Sequence, residues 1–355
     1  MRHLVILLQI KNLRKFQELP RAALCWKRTE RRPDIRNSKI LRATAAGMVS
    51  LIFVFVLANR IEWRDAFRVM EFGISPGRVA LFLLLTSAIA FVYALRWRLL
   101  LNFKLGAMAS FTASIIGLGG NMLLPARGGD FLRVYYSGQR VEIPYAGVFS
   151  RLVVEKFVDL LTIFLVGFLA AVLNRSLDSN DYILYFSVVG FAGTLLGAIG
   201  LRFFSKQLSA VASRLLRLLK LSSVAGKGVE RVLFDMGRGL SISAIALPSL
   251  LTLSMWVSLY AWTYILAGRI VGVSLSYDES IVVLFAGALG LMIPAAPSGV
   301  GTFHASIVSA FILLGRPSSE GLVLATAIHF LFLVIYAVPA LMIGCQWRFG
   351  RLAIR

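Results

Sequence analysis

The sequence predicts an all-α polytopic membrane protein of about six full transmembrane helices plus two re-entrant hairpins. Three observations lead there. Of 355 residues, 58% are hydrophobic and only 15% charged, and the mean hydropathy of +0.78 is that of a chain solvated by lipid. Apolar runs of about 20 residues, the length that crosses a bilayer, recur along the chain. Two further apolar runs are broken by Pro and Gly. Backbone exposed to lipid at such a break would leave N–H and C=O groups unpaired, at several kcal/mol each, so both breaks are expected inside protein or against a wet cavity.

The elements follow in order. Residues 1–40 hold eleven Lys and Arg against Glu18, Glu30 and Asp34, and read as a basic cytoplasmic arm. The membrane domain spans 41–346, with half-repeats at about 41–173 and 182–346. Full spans are expected at about 41–59, 79–95, 152–173, 182–201, 247–267 and 321–344. The first broken run covers 107–125 and ends at Pro125, Gly128 and Gly129. The second covers 280–297, ends at Pro294, Pro297, Gly299 and Gly301, and is followed by a short apolar run at 303–315. Between the halves, 202–240 carries eight Lys and Arg against Glu230 and Asp235. Leucines interleaved with Arg214, Arg217 and Lys220 suggest an amphipathic interfacial segment there. Pro248 and Pro339 read as helix kinks, and Trp63, Trp97 and Trp347 as interface anchors. Residues 347–355 form a basic tail.

Charge sets the orientation. The arm, 96–104, 202–240 and the tail are basic, which places them and both termini in the cytoplasm, whereas 174–181 and 268–280 hold one arginine each. Arg96 is read here as part of the basic flank. The breaks align without a gap at an offset of 172: Pro125, Gly129-Asp130-Phe131 falls on Pro297, Gly301-Thr302-Phe303. With the first half beginning inside and the second outside, this is an inverted-topology repeat, an arrangement suited to alternating access. Two unrelated breaks in a static bundle are the alternative.

The candidate binding residues are Asn121, Arg127, Asp130, Arg133, Arg151, Glu155, Asp159 and His304. Arg127 and Arg133 offer planar donor forks that suit phosphate, and a Gly-rich turn adds free backbone N–H groups. Arg151, Glu155 and Asp159 recur at i, i+4, i+8 and share a helix face, with Lys156 off it. Ionisable groups inside a span are costly and usually face the bundle interior; near a span entrance they snorkel instead. Asp130 is expected to orient an arginine or meet a cationic headgroup, and Arg133→Ala is expected to end transport in a folded protein.

Several classes are excluded. Net charge is +21, but no reader motif accompanies it, so nucleic acid is not the expected partner. The charge fits anionic lipid headgroups. Cys25 and Cys345 are far apart in cytoplasmic segments, where a disulfide is not expected, and His3, His304 and His329 lack metal-ligand spacing. No metal or cofactor is expected. No nucleophile elbow, P-loop or HExxH is present, so no catalytic residue is assigned and the chain is not expected to be an enzyme.

In order, Asn121, Pro125, Gly129-Asp130 and Arg133, then Glu155-Lys156 and Asp159, then Pro297-Ser-Gly-Val-Gly301 and His304 resemble three motifs of the lysylphosphatidylglycerol synthase/flippase membrane domain, the family of the multiple peptide resistance factors. The resemblance covers about 40–345. Asp130 and His304 stand where that family has Glu, and Lys156 where it has Arg. The aminoacyl-transfer domain of the family has no counterpart, so the resemblance implies a stand-alone member that handles lipid without making lysyl lipid. The expected activity is moving or binding an anionic phospholipid or polyprenyl-linked lipid in a bacterial inner membrane. The alternative is a non-catalytic subunit that presents a lipid to a partner lipid-modifying enzyme or glycosyltransferase.

Overall fold

A computed structural model describes residues 75–124, 127–174, 180–218, 223–293 and 297–352. The first expected span at 41–59, the basic arm, Trp63, and the break residues Pro125 and Pro294 lie outside them.

All described elements are helical. They are α1 (Pro76–Leu100), α2 (Ala107–Leu123), α3 (Gly128–Gly138), α4 (Tyr145–Leu173), α5 (Asn180–Leu218), α6 (Ser223–Gly239), α7 (Ile242–Ser254), α8 (Ala261–Ile270), α9 (Tyr277–Met292), α10 (Thr302–Leu313), α11 (Ser318–Phe332) and α12 (Val338–Leu352). A π-helical segment (Met255–Tyr260) joins α7 to α8, and another (Leu333–Ala337) joins α11 to α12. Five rods are long and apolar enough to cross a membrane: Pro76–Leu100, Tyr145–Leu173, Asp181–Leu216, Ile242–Ile270 and Ser318–Gln346. They cover the five expected spans within the described residues, and the protein is a multi-pass membrane protein. Their outer faces carry large exposed side chains such as Leu84, Phe91 and Leu196, as a lipid-facing surface requires.

The prolines have specific consequences. Pro339 has no N–H to give to the carbonyl four residues earlier, and that carbonyl belongs to the π-helical segment just before it, a usual place for such a defect. Pro248 likewise has no N–H for the carbonyl of Ala244, and one turn on the Thr252 hydroxyl donates to the Pro248 carbonyl (2.6 Å). The fourth expected span, 182–201, is extended: α5 continues to Leu218 through a non-helical residue, Phe204.

The broken runs fold as two helical hairpins, α2–α3 and α9–α10. At 17, 11, 16 and 12 residues, no arm reaches spanning length. Both hairpins close on glycine. Cβ atoms at Gly120 and Gly129 would strike the facing arm, and at Gly290 a Cβ would overlap the Ser306 hydroxyl and stand 2.7 Å from the Thr302 carbonyl. The tips meet each other: the Ser298 hydroxyl donates to the Met122 sulfur at 2.8 Å.

The offset of 172 relates α1–α4 to the segment from α7 to α12. Shifted by it, α1 covers 248–272, beside Ile242–Ile270; α2 covers 279–295, beside α9; α3 covers 300–310, beside α10; and α4 covers 317–345, beside α11–α12. Backbone detail follows. Arg127, with φ +54°, falls on Gly299, with φ +68°. One apolar core joins α4, α8, α9, α10 and α11 around Phe285, Phe303 and Phe311. A second joins α1 to α4 around Trp97, Val134 and Val154, and the ionised groups lie beside it.

Candidate functional site: a buried charge cluster at the first break

Helix α3 is two-faced. Asp130, Arg133 and Ser137, at i, i+3 and i+7, are buried, whereas Phe131, Leu132 and Tyr135 are exposed. The buried face meets α4. Arg133 Nη1 donates to Glu155 Oε1 at 2.9 Å, and both side chains are almost wholly buried. Asp130 sits in the first turn of α3, where the helix dipole favours a carboxylate. Its backbone N–H donates to Asn121 Oδ1, and Asn121 Nδ2 donates back to Asp130 Oδ1, both at 3.1 Å. Asn121 thus ties α2 to the start of α3 across the break. Arg127 Nε reaches Asp130 Oδ2 at 3.3 Å.

Two further residues complete the cluster. Lys156 Nζ lies 3.4 Å from Asp130, 3.6 Å from Asp159 and 3.9 Å from Glu155, so the residue read as off the ionisable face is its centre. A helix face is about a third of a turn wide, and a long lysine stem reaches around it. Arg96, read as part of a cytoplasmic flank, is fully buried on α1 and donates from Nη2 to Asp159 Oδ1 at 2.7 Å. Trp97, read as an interface anchor, is fully buried as well. Its indole N–H donates to the Ser137 hydroxyl (2.9 Å), and its ring lies under the Arg133 guanidinium at 4.1 Å. The signal for both was the spacing of Tyr93, Arg96, Trp97 and Leu100 at i, i+3, i+4 and i+7, one inward face of α1.

The structure therefore brings together Asn121, Arg127, Asp130, Arg133, Glu155 and Asp159. It does not bring Arg151 or His304 to them. Arg151, one turn before Glu155, donates to the Ser150 hydroxyl and the Asp235 carbonyl beside α6. His304 on α10 instead faces His329 on α11, ring centres 5.3 Å apart, with Phe303 edge-on to both. In the repeat, this α10–α11 contact corresponds to the α3–α4 contact, but His304 and His329 fall on Leu132 and Phe157, and the charged positions of the first half fall on uncharged residues of the second. Of the break residues, Gly128 and Gly129 open α3, and Pro297 and Gly299 bound the short 3-10 turn that precedes α10. Gly301 caps α10 at φ +91°.

Four cations, Arg96, Arg127, Arg133 and Lys156, face three carboxylates, Asp130, Glu155 and Asp159, leaving one positive charge. Exposure is graded. Arg127 and Lys156 side chains are 54% and 30% exposed, whereas Arg96, Arg133 and Glu155 are dry. Arg96 Nε and Nη1 and Arg133 Nε and Nη2 are buried with no hydrogen-bond partner among the described residues. A buried, unpaired donor of this kind is costly. Among the described residues, no group of three or more His, Cys, Asp or Glu has the arrangement of a metal site.

These features define a multi-pass helical membrane protein with an ionised site at a broken hairpin. The lysylphosphatidylglycerol synthase TM region matches residues 43–340, and the chain belongs to that family. It is similar to a UPF0104 membrane protein of Methanocaldococcus jannaschii, 23% identical over 331 residues that cover 86% of this chain and 94% of the relative. It is also similar to a UPF0104 membrane protein of Methanothermobacter thermautotrophicus, 23% identical over 290 residues, 74% of this chain and 81% of the relative. No solved structure matches.

Proposed function

We propose that the chain binds an anionic phospholipid or lipid-linked intermediate at the first break and moves it across the cytoplasmic membrane, without covalent chemistry. The observation that carries this reading is the uneven cluster: one surplus positive charge, with its exposed cations at the mouth and its paired ones in the core. A phosphate at the mouth would take the forks of Arg127 and the ammonium of Lys156, both strong donors to anionic oxygen. Asp130 and Asn121 would hold those donors in place. The acyl chains would lie along Phe131, Leu132 and Tyr135, exposed on the same short helix.

In this reading α2–α3 and α9–α10 are re-entrant hairpins that enter from opposite faces, the first from the cytoplasm. Both termini lie inside. The contact between their tips at Ser298 and Met122 would be the gate, and the matching half-repeats would exchange roles as the site changes sides.

A photoactivatable phosphatidylglycerol, with its reactive group near the headgroup, tests the site. Labelling concentrated on 127–135 and on the α4 segment around Lys156, and reduced by Arg127→Gln, is expected. Even labelling of the lipid-facing spans, unchanged in that variant, would remove the support for this site.

A further inference from the structure

Arg151 leaves the cluster for a separate place. A cavity of about 300 Å³ has Leu100, Arg151, Asp235, Arg238, Ser241 and Ala244 in its lining, at the lower end of the usual size of a small-ligand pocket, about 300–1,000 Å³. Its walls are the end of α1, the first turns of α4, the end of α6 and the start of α7.

Three features leave it net positive. Arg151 uses only Nη1 in hydrogen bonds among the described residues, and both acceptors, the Ser150 hydroxyl and the Asp235 carbonyl, are neutral. Arg238 stands over the Phe234 ring, 6.0 Å from its centre. Neither arginine has a carboxylate within ion-pair distance among the described residues; the Asp235 carboxylate that shares the cavity lies 3.9 Å from Arg231 instead. The third feature is the start of α7. The Ser241 hydroxyl accepts no hydrogen bond from the N–H groups of its first turn, and that turn holds no acid, so no side chain compensates the positive end of that helix.

We propose that this cavity is a second anion site, distinct from the charge cluster, and that it takes a phosphate group. A phosphate has enough oxygens to meet two guanidinium forks and helix N–H groups together, which a single carboxylate does not. The cavity borders the basic segments that the charge pattern assigns to the cytoplasm. The phosphate therefore comes either from a headgroup of the inner leaflet or from a soluble phosphomonoester.

The test uses the full chain in phosphatidylcholine nanodiscs. Calorimetric titrations with inorganic phosphate and glycerol 3-phosphate are set beside native mass spectrometry of phosphatidylglycerol retained from mixed nanodiscs. Saturable binding of a soluble phosphate, or retention of phosphatidylglycerol over phosphatidylcholine, is expected, and tells the two sources apart. Arg151→Gln with Arg238→Gln should weaken it at least tenfold. Ala244→Trp, which fills the cavity from an exposed position and leaves both arginines in place, should do the same. Arg133→Met with Glu155→Met, in the charge cluster, should remove only the phosphatidylglycerol held there, and leave unchanged both the soluble-phosphate binding and the share of lipid that is lost in Arg151→Gln with Arg238→Gln. Absence of any binding, survival of that binding in Ala244→Trp, or its loss with the Arg133 and Glu155 pair would overturn the proposal.

Discussion

Glu155 and Arg133 form an ion pair whose side chains are both almost wholly buried. Truncating one leaves the other buried without its nearest partner, at a cost of about 3–5 kcal/mol. Arg133→Ala is therefore expected to lower the thermal midpoint in detergent sharply, whereas the sequence alone suggests a folded, inactive variant. Replacing both partners with methionine removes the charges together and is expected to fold within about 1–2 kcal/mol of the wild type; a double variant no more stable than Arg133→Ala would contradict the pairing. Arg127 has a different role. It holds a left-handed backbone where its repeat counterpart is Gly299, and such strain costs a side-chain-bearing residue about 1–3 kcal/mol. Arg127→Gly should thus keep its thermal stability and still lose about tenfold in anionic-lipid affinity, the worth of one charge-assisted hydrogen bond. Loss of both together would mean that the side chain is structural.

At the scale of elements, the hairpins depend on backbone closeness. A Cβ at Gly129 would overlap the Gly117 carbonyl and the Asn121 N–H. Gly129→Val is expected to part α2 from α3, cost about 1–3 kcal/mol or more, and break the Asn121–Asp130 pair, read as faster hydrogen exchange at 128–133. Exchange equal to the wild type would show that the arms can separate without loss. The second hairpin has a polar clamp at its far end. Ser276 and Glu279 form a capping box on α9, and Arg316 bonds Glu279 at 3.1 Å and also Glu320 on α11. Glu279→Ala removes a cap and an ion-pair partner, and should destabilise by about 1–2 kcal/mol, whereas Glu320→Ala should cost less. The span positions were legible because apolar length is a coarse, additive signal. The break was legible because Pro and Gly cannot stay in lipid unpaired. Arg96 and Lys156 were not. Both stand among residues that suggest a membrane edge, and only the approach of α1 and α3 to α4 turns them inward.

For the whole molecule, the repeat matters most. Residue identity between the halves is thin, yet helix positions, glycine-closed hairpins and even a left-handed turn recur at 172 residues. The sequence carried that period through its breaks, but not the chemical asymmetry, because pairing across helices is set by packing. Charges lie between α3 and α4, and a histidine pair lies between α10 and α11. In the proposed cycle the anion would be held by one half while the other half supplies the moving counterpart. The most direct measurement is scrambling in liposomes, with fluorescent phosphatidylglycerol, a polyprenyl phosphate and phosphatidylcholine followed by external quenching. The account predicts faster movement of an anionic lipid than of phosphatidylcholine, reduced about tenfold in Arg127→Gln and lost when Arg133 and Glu155 are replaced by methionine in a folded protein. No movement of any lipid by folded wild-type protein would contradict transport and point to a subunit that presents lipid to a partner enzyme; equal movement in all variants would contradict the site.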